Sequence, residues 1–339
     1  MDENKGDKKI VNKLNDRQVK VTVLVVTYNH EPYIRKALES VVCQKTDFEY
    51  EIIVHDDAST DGTTEIVRTY ERQYQNLTAI IEKENQYHNK GYLGIHKILK
   101  PYVHGKYVIL LEGDDLWCDE NKIQKQVNFL ETHPDHIAHT HLVKHVFPDG
   151  KVDFHPTRSD GKDWTPYEII DWKDAFHASS LMYRSEYFLS EFDECYMLAI
   201  DFVMACWLIM NGKIGYSNDI MSIHNLYAKG SYTANKFKME GDGFKNADDR
   251  LKHLKGRQIL CSKLDEMSNY LFHDFFVKSQ ERRYLDYCFS VGDYRTSRKI
   301  VPTYVKGLPI RKKIWIYSNA YMPFIVKLYN RIRNMLQHS

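Results

Sequence analysis

The chain has 339 residues, of which 43% are hydrophobic and 27% charged, and its formal net charge is +1. So balanced a composition excludes a wholly disordered chain and a protein built to coat nucleic acid. Its length exceeds what one hydrophobic core usually serves, which implies one large domain and a smaller appendage.

Residues 1–18 are charged without an apolar segment, and no later stretch approaches the roughly 18 apolar residues that span a bilayer. The expectation is therefore a cytoplasmic protein. Cys43, Cys118, Cys195, Cys206, Cys261 and Cys288 lie far apart with no C-x-x-C pair, the pattern of reduced thiols rather than a disulfide frame or a zinc site.

The first element is VTVLVVT at 21–27, a continuous β-branched run typical of a parallel strand covered on both faces. Helical spacing follows in EPYIRKALESVVCQ, then a buried run EIIVHDD, then a helix opened by Ser59-Thr60-Asp61-Gly62 and continuing as TTEIVRTYERQY. LTAIIEKEN, a helical stretch from about 91 to 102 and the strand KYVILLEGDD continue the alternation. Alternation of this kind predicts a doubly wound, mostly parallel α/β sheet.

From about 144 to 196 the pattern loosens, with Pro148, Pro156, Trp164 and Pro166, before an apolar helical run from Phe202 to Met210. From about Arg250 the chain reads as helical to its end, with LKHLKGRQILCSKLDEMSNYLFHDFFV as one stretch. After Asp293 there is no acidic residue, while ten basic ones follow from Arg295 to Arg333.

Ligands of a parallel sheet bind beyond the carboxyl ends of its strands. Tyr28-Asn29-His30, Asp56-Asp57 and Asp114-Asp115 each follow an apolar strand directly and so converge on one crevice. Two adjacent carboxylates at a buried strand end suit a hard divalent cation, Mg²⁺ or Mn²⁺, whose remaining positions go to substrate phosphates and water. The competing reading has Asp114-Asp115 capping a following helix and Asp56-Asp57 serving as a turn or helix-capping pair before Ser59-Thr60.

VVTYNHEPYIRKALESVVCQ, IVHDDASTDGTTEIV, GKYVILLEGDDLW and KIQKQVNFLETHPD, in this order, resemble the family-2 glycosyltransferases of GT-A fold, closely over about 21–134 and more weakly to about 233. The resemblance implies a GT-A catalytic domain at 19–245, with a donor-nucleotide half at 19–135 and an acceptor half at 136–245. A helical region with a basic amphipathic tail would occupy 246–339. It further implies inverting transfer of a sugar from a nucleoside-diphosphate donor, with uridine favoured, to a glycan or lipid-linked acceptor in bacterial capsule or O-antigen synthesis.

By the same resemblance Thr27 and Tyr28 line the nucleotide, Asp57 meets the base, Asp115 ligates the metal, and Asp114 faces the ribose or the ion. Asp201 is the expected base, because a displacement at the anomeric carbon needs a group that takes the acceptor proton. Its position at the start of a helix would by itself lower its pKa. The chain departs from the family pattern at Ile200-Asp201, at His96-Lys97, where Lys97 is left to face the diphosphate, and in MSIHNLYAKGSYT. There His224 stands as the third metal ligand or in an aromatic position, and Lys229 as the cationic contact to phosphate.

The histidines 133, 136, 139, 141 and 145 read as strand and surface residues, without the Cys or carboxylate that would complete a zinc set. The segment IRKKIWIYSNAYMPFIVKLYNRIRNML mixes basic and aromatic residues, which suits either an anionic surface at the inner face of the cell membrane or docking on the protein's own catalytic domain or a partner subunit. A second function class stays open, a non-catalytic sugar-nucleotide-binding or scaffolding subunit. A nicotinamide-dependent oxidoreductase is disfavoured because no G-x-G-x-x-G follows the first strand, and a P-loop enzyme because there is no Walker sequence.

Overall fold

The computed structural model describes residues 19–171, 175–188, 200–226, 246–326 and 328–329, so the N-terminal extension 1–18, Lys229 and the last ten residues lie outside the described residues. The chain divides into two compact units, 1–238 and 239–339.

In the first unit β1 (Val21–Thr27) is buried at every position, as its uninterrupted apolar run requires. It pairs in parallel with β2 (Tyr50–Asp56) on one side and β4 (Tyr107–Glu112) on the other, and β2 pairs in parallel with β3 (Leu77–Ile81). The chain thus steps outward from β1 through β2 to β3 and then returns to the far side of β1. The gap between the carboxyl ends of β1 and β4 is therefore a topological switch point, where a ligand crevice is expected.

Beyond β4 the nine-stranded sheet becomes mixed, in the order β3-β2-β1-β4-β8-β6-β9-β5 with β7 on β6. These strands are β5 (Leu116–Trp117), β6 (His136–Val146), β7 (Val152–His155), β8 (Met182–Arg184) and β9 (Lys213–Asn225). Helices α1 (Ile34–Val42), α2 (Thr63–Gln73) and α4 (Lys122–Thr132) bury Leu38, Val67 and Ile123 against Val23, Ile52 and Ile109 of the parallel strands. Helix α3 (Gln86–Leu99) is bent at Gly91, whose φ of 62° only glycine adopts freely. Short helices α5 (Pro166–Asp171) and α6 (Ser185–Phe188) precede α7 (Ile200–Asn211), which is apolar nearly all round and buried from 202 to 206 and at Leu208 and Ile209.

The second unit holds α8 (Ala247–Met267), α9 (His273–Val291), α10 (Tyr294–Tyr304) and α11 (Ile310–Tyr321). The stretch expected as one helix breaks between α8 and α9, because Asn269 and Tyr270 take left-handed conformations with φ of 51° and 61°. Its core joins Leu285, Val301, Tyr304 and Ile316.

Gly105, ahead of β4, is required by close backbone approach: a Cβ there would lie 2.5 Å from the Thr22 nitrogen and 2.7 Å from the Val21 carbonyl carbon. Gly105→Ala is expected to cost about 1–3 kcal/mol, because neither neighbour is a side chain that can move aside. Thermal unfolding of the variant checks this, and an unchanged melting temperature would refute it.

Candidate active site

The turn after β4 is set by Gly113, whose amide donates to the Val26 carbonyl at 2.8 Å. A Cβ on Gly113 would meet the Thr27 hydroxyl oxygen at 2.7 Å and His30 Nδ1 at 2.9 Å, so the end of β4 can close on the β1 loop only with glycine here. The next two residues, Asp114 and Asp115, are both buried, and Asp115 is only 1% exposed. The element that follows is β5, so the helix-capping alternative for this pair fails.

The antiparallel pairing of β5 with β9, Leu116 opposite Ile223, brings the end of β9 to Asp115. His224 Nδ1 lies 2.8 Å from Asp115 Oδ1, which also accepts the Asn225 amide at 3.2 Å. The Asn225 side-chain amide donates to the Asp114 carbonyl at 2.7 Å and fixes the turn from the other side. Asp115 Oδ2 is buried with no hydrogen-bond partner, and His177 Nδ1 stands 4.0 Å from it. The rings of His177 and His224 are 4.1 Å apart. Ligand atoms of Asp115, His177 and His224 all lie within 4.8 Å of one another, the only such His, Cys or acid group among the described residues.

An orphaned, buried carboxylate oxygen is costly unless a cation or donor reaches it. The residues present therefore fit a divalent ion: one carboxylate, flanked by two imidazoles, at the mouth of the switch-point crevice. His224 was expected near the metal, whereas His177 was not. It lies at the start of the 3-10 turn Ala178–Ser180, where Nδ1 accepts the Ser179 amide, and no sequence signal marks it.

The electrostatics follow from burial and crowding of acids. Burial disfavours the charged imidazolium of His224, but its hydrogen bond and proximity to Asp115, with Glu112 and Asp114 beyond, outweigh this and raise its pKa. Burial raises the Asp115 carboxyl in turn, against the opposing pull of His224. His145 is different: burial, and next the nearby His224, lower its pKa to about 4, so it is neutral. It sits opposite both Asp153 of β7 and His224 of β9 in register, with Asp153 Oδ1 3.0 Å from its Nδ1.

A cavity of about 80 Å³ adjoins this cluster in the first unit, lined among others by Tyr92, Glu112, Phe176, Tyr183 and Asp201. Asp201 opens α7 and is open to solvent as a residue, yet desolvation holds its carboxyl above the usual range. The lowering expected from the helix N-terminus is thus overridden by loss of water around the carboxylate. Glu112 is the residue the sequence reading missed. Burial, and then repulsion by Asp114, Asp115 and Asp201, push its pKa from 4.5 to about 8, and Tyr92 donates to it at 3.1 Å. Its only sequence signal is its place one residue before Gly113.

Thr27 is buried with its hydroxyl unpartnered, and Tyr28 is exposed beside it. Asp57 is buried, and its two oxygens accept the amides of Gln86 and Tyr87 at 2.6 and 2.9 Å, so it anchors the start of α3. Asp56 is likewise spent within its own turn, on Ser59 and Thr64. Lys97 is exposed on α3 and is not among the cavity-lining residues, which on that helix are Tyr92, Ile95, His96 and Leu99. Trp117 is core, packed with Ile123 and Met182.

Four of the five clustered histidines have partners away from the site. His133 and His139 pack on Phe129, His136 lies between Asp135 and Asp163, and His141 contacts the buried Lys122 at 2.8 Å. His145 alone of the five turns toward His177 and His224, with its ring 5.3 Å from that of His224.

The fold, with its parallel half, mixed half and crevice at the β1/β4 switch point, is of the GT-A type. Residues 22–185, a little under half of the chain, match the model of Glycosyl transferase family 2. The uncharacterized protein Rv1520 of Mycobacterium tuberculosis is 29% identical over 216 residues, which are 62% of this chain and 60% of that one. The chain thus matches about 60% of the length of this relative. The UDP-Glc:alpha-D-GlcNAc-diphosphoundecaprenol beta-1,3-glucosyltransferase WfaP of Escherichia coli is 33% identical over 112 residues, covering 33% of this chain and 41% of WfaP. Among solved structures, residues 1–349 of S. aureus TarS in complex with UDP-GlcNAc superpose with a TM-score of 0.53 at 18% identity, over 91% of this chain and 92% of that one.

Two titrations check the electrostatics in metal-free protein. A carboxyl whose folded pKa exceeds its unfolded one loses stability as pH rises between the two values, for Glu112 from 4.5 to about 8. Glu112→Gln, which cannot ionise, should therefore gain on the wild type across that window in pH-dependent denaturation; parallel curves would refute the shift. By NMR, His224 should titrate above the ordinary histidine range, and Asp115→Asn should move it downward.

Proposed function

We propose that this protein is an inverting glycosyltransferase that moves a sugar from a nucleoside-diphosphate donor, with UDP-sugars favoured, to a hydroxyl of a glycan or lipid-linked acceptor in bacterial surface-polysaccharide synthesis. The observation that carries this reading is the buried Asp115 with its unpartnered oxygen between His177 and His224, at the switch point of a family-2 domain. The names of WfaP and TarS support a uridine nucleotide as donor.

Asp115, His224 and His177 would hold a divalent ion, Mn²⁺ or Mg²⁺, with Asp114 turned to the ribose or the ion's water. When bound, such an ion offsets the negative charge that gathers on a departing diphosphate. Thr27 and Tyr28 line the nucleotide. Lys97 and Lys229 are the proposed cationic contacts to the diphosphate, and Asp57 reaches the base through the lone pairs its amide contacts leave free.

Asp201 takes the proton of the acceptor hydroxyl as that oxygen bonds to the anomeric carbon. The bond from that carbon to the diphosphate oxygen breaks on the opposite face and the diphosphate keeps the electron pair. A base is most effective when its pKa lies near the working pH, and the upward shift of Asp201 acts in that direction. Glu112, protonated near neutrality, borders the same cavity without adding a second charge.

No helix among the described residues is long and apolar enough to cross a membrane. A cytoplasmic protein that works at the inner face of the membrane fits a lipid-linked acceptor.

Asp201→Asn should abolish transfer, by at least about 10²-fold, while donor binding persists. A near-wild-type rate would remove Asp201 as the base. A thermal-shift screen of UDP-, GDP-, dTDP- and CMP-sugars should show stabilisation by one nucleotide class that needs Mn²⁺ or Mg²⁺ and is lost in Asp115→Asn. No response to any donor, with no transfer, would favour a non-catalytic scaffolding subunit.

A further inference from the structure

Helix α11 carries two apolar stripes, and only one is buried in the core of the second unit. Ile316 and Ala320 are buried in the core of the second unit, against Leu285, Val301 and Tyr304. Ile310, Ile314, Tyr317 and Tyr321 recur at i, i+4, i+7 and i+11, which is a single helix face. All four are exposed, Ile310 by 70%. The apolar exposure continues past the helix in Met322, Phe324 and Ile325, with Phe324 exposed by 77%.

The stripe is flanked by Arg311 on one side and Lys313 on the other, and no acidic residue follows Asp293 anywhere in the chain. Charge complementarity therefore selects the occupant. A second copy of the same face would set like charges against each other, whereas an anionic lipid surface offers both an apolar interior for the stripe and opposite charge for its flanks.

We propose that the outer face of α11 and the segment that follows it form a docking surface for an anionic bilayer, in which the Ile310–Tyr321 stripe and Phe324 enter the interface while the basic flanks meet lipid headgroups. Ile316 and Ala320 stay in the protein core, so the helix is held by the second unit on one side and by lipid on the other. The proposal stands independently of the sugar-transfer reading.

The test is flotation of the full-length protein with phosphatidylcholine vesicles, with and without phosphatidylglycerol. Flotation is expected only with the anionic vesicles and should weaken at high salt, as an interaction screened within a Debye length must. The double variant Ile314→Glu, Tyr317→Glu alters exposed positions, so it should keep the wild-type melting curve while losing flotation. Arg311→Glu, Lys313→Glu leaves the stripe intact and should weaken binding by about tenfold or more. Failure of the wild type to float on anionic vesicles would overturn the proposal, as would flotation of the stripe variant at the wild-type level. A dimer in light scattering that Ile314→Glu dissolves would show that a second copy covers this face instead.

Discussion

A carboxylate removed from water must be compensated, and the buried Asp115 is the point on which the site depends. One of its oxygens is satisfied by His224 and the Asn225 amide, and the other is left without a partner. Three parts of the fold meet to produce this state: the parallel β1/β4 pair that ends at Gly113, the β5/β9 ladder that delivers His224, and the 3-10 turn that delivers His177. Loss of any of these would leave a buried charge with too few partners, which costs more than the pairing itself contributes.

The acids nearby are divided in role by their surroundings. Asp114 and Asp115 stand at the strand end, whereas Glu112 and Asp201 share the adjoining cavity, where desolvation raises both and repulsion by the neighbouring acids raises Glu112 further. Crowding four carboxyls into one region forces some of them to keep their protons near neutrality unless positive charge arrives. A cation and a diphosphate supply and consume charge in the right places, which links the acid cluster to the proposed chemistry.

Much of this was legible in the sequence. Continuous β-branched runs such as VTVLVVT report a strand covered on both faces wherever it ends up, because the run has no polar face to expose. Asp114-Asp115 after an apolar strand and Asp201 at a helix start are local signals of the same kind, and His224 entered through the family resemblance. Asp57 shows the limit. Its position after an apolar strand is a local signal, but its engagement with the amides of Gln86 and Tyr87 joins positions about thirty residues apart that no local pattern connects. The break at Asn269-Tyr270 carries no strong local signal, since neither residue is a strong helix breaker, yet both take left-handed conformations.

What the sequence determined by itself was the order and type of elements from β1 to β4, the strand ends that carry polar groups and the basic, acid-free C-terminal region. These rest on periodicity and composition, which are properties of short windows. Only the tertiary structure decided that His177 joins Asp115 and His224, that Glu112 is pushed to a pKa of about 8, that His145 alone of its cluster faces the site, and which stripe of α11 is left bare. Each of these depends on distance and desolvation between segments remote in the chain, and those quantities exist only once the sheet has closed on its register and the helices have chosen which faces to bury.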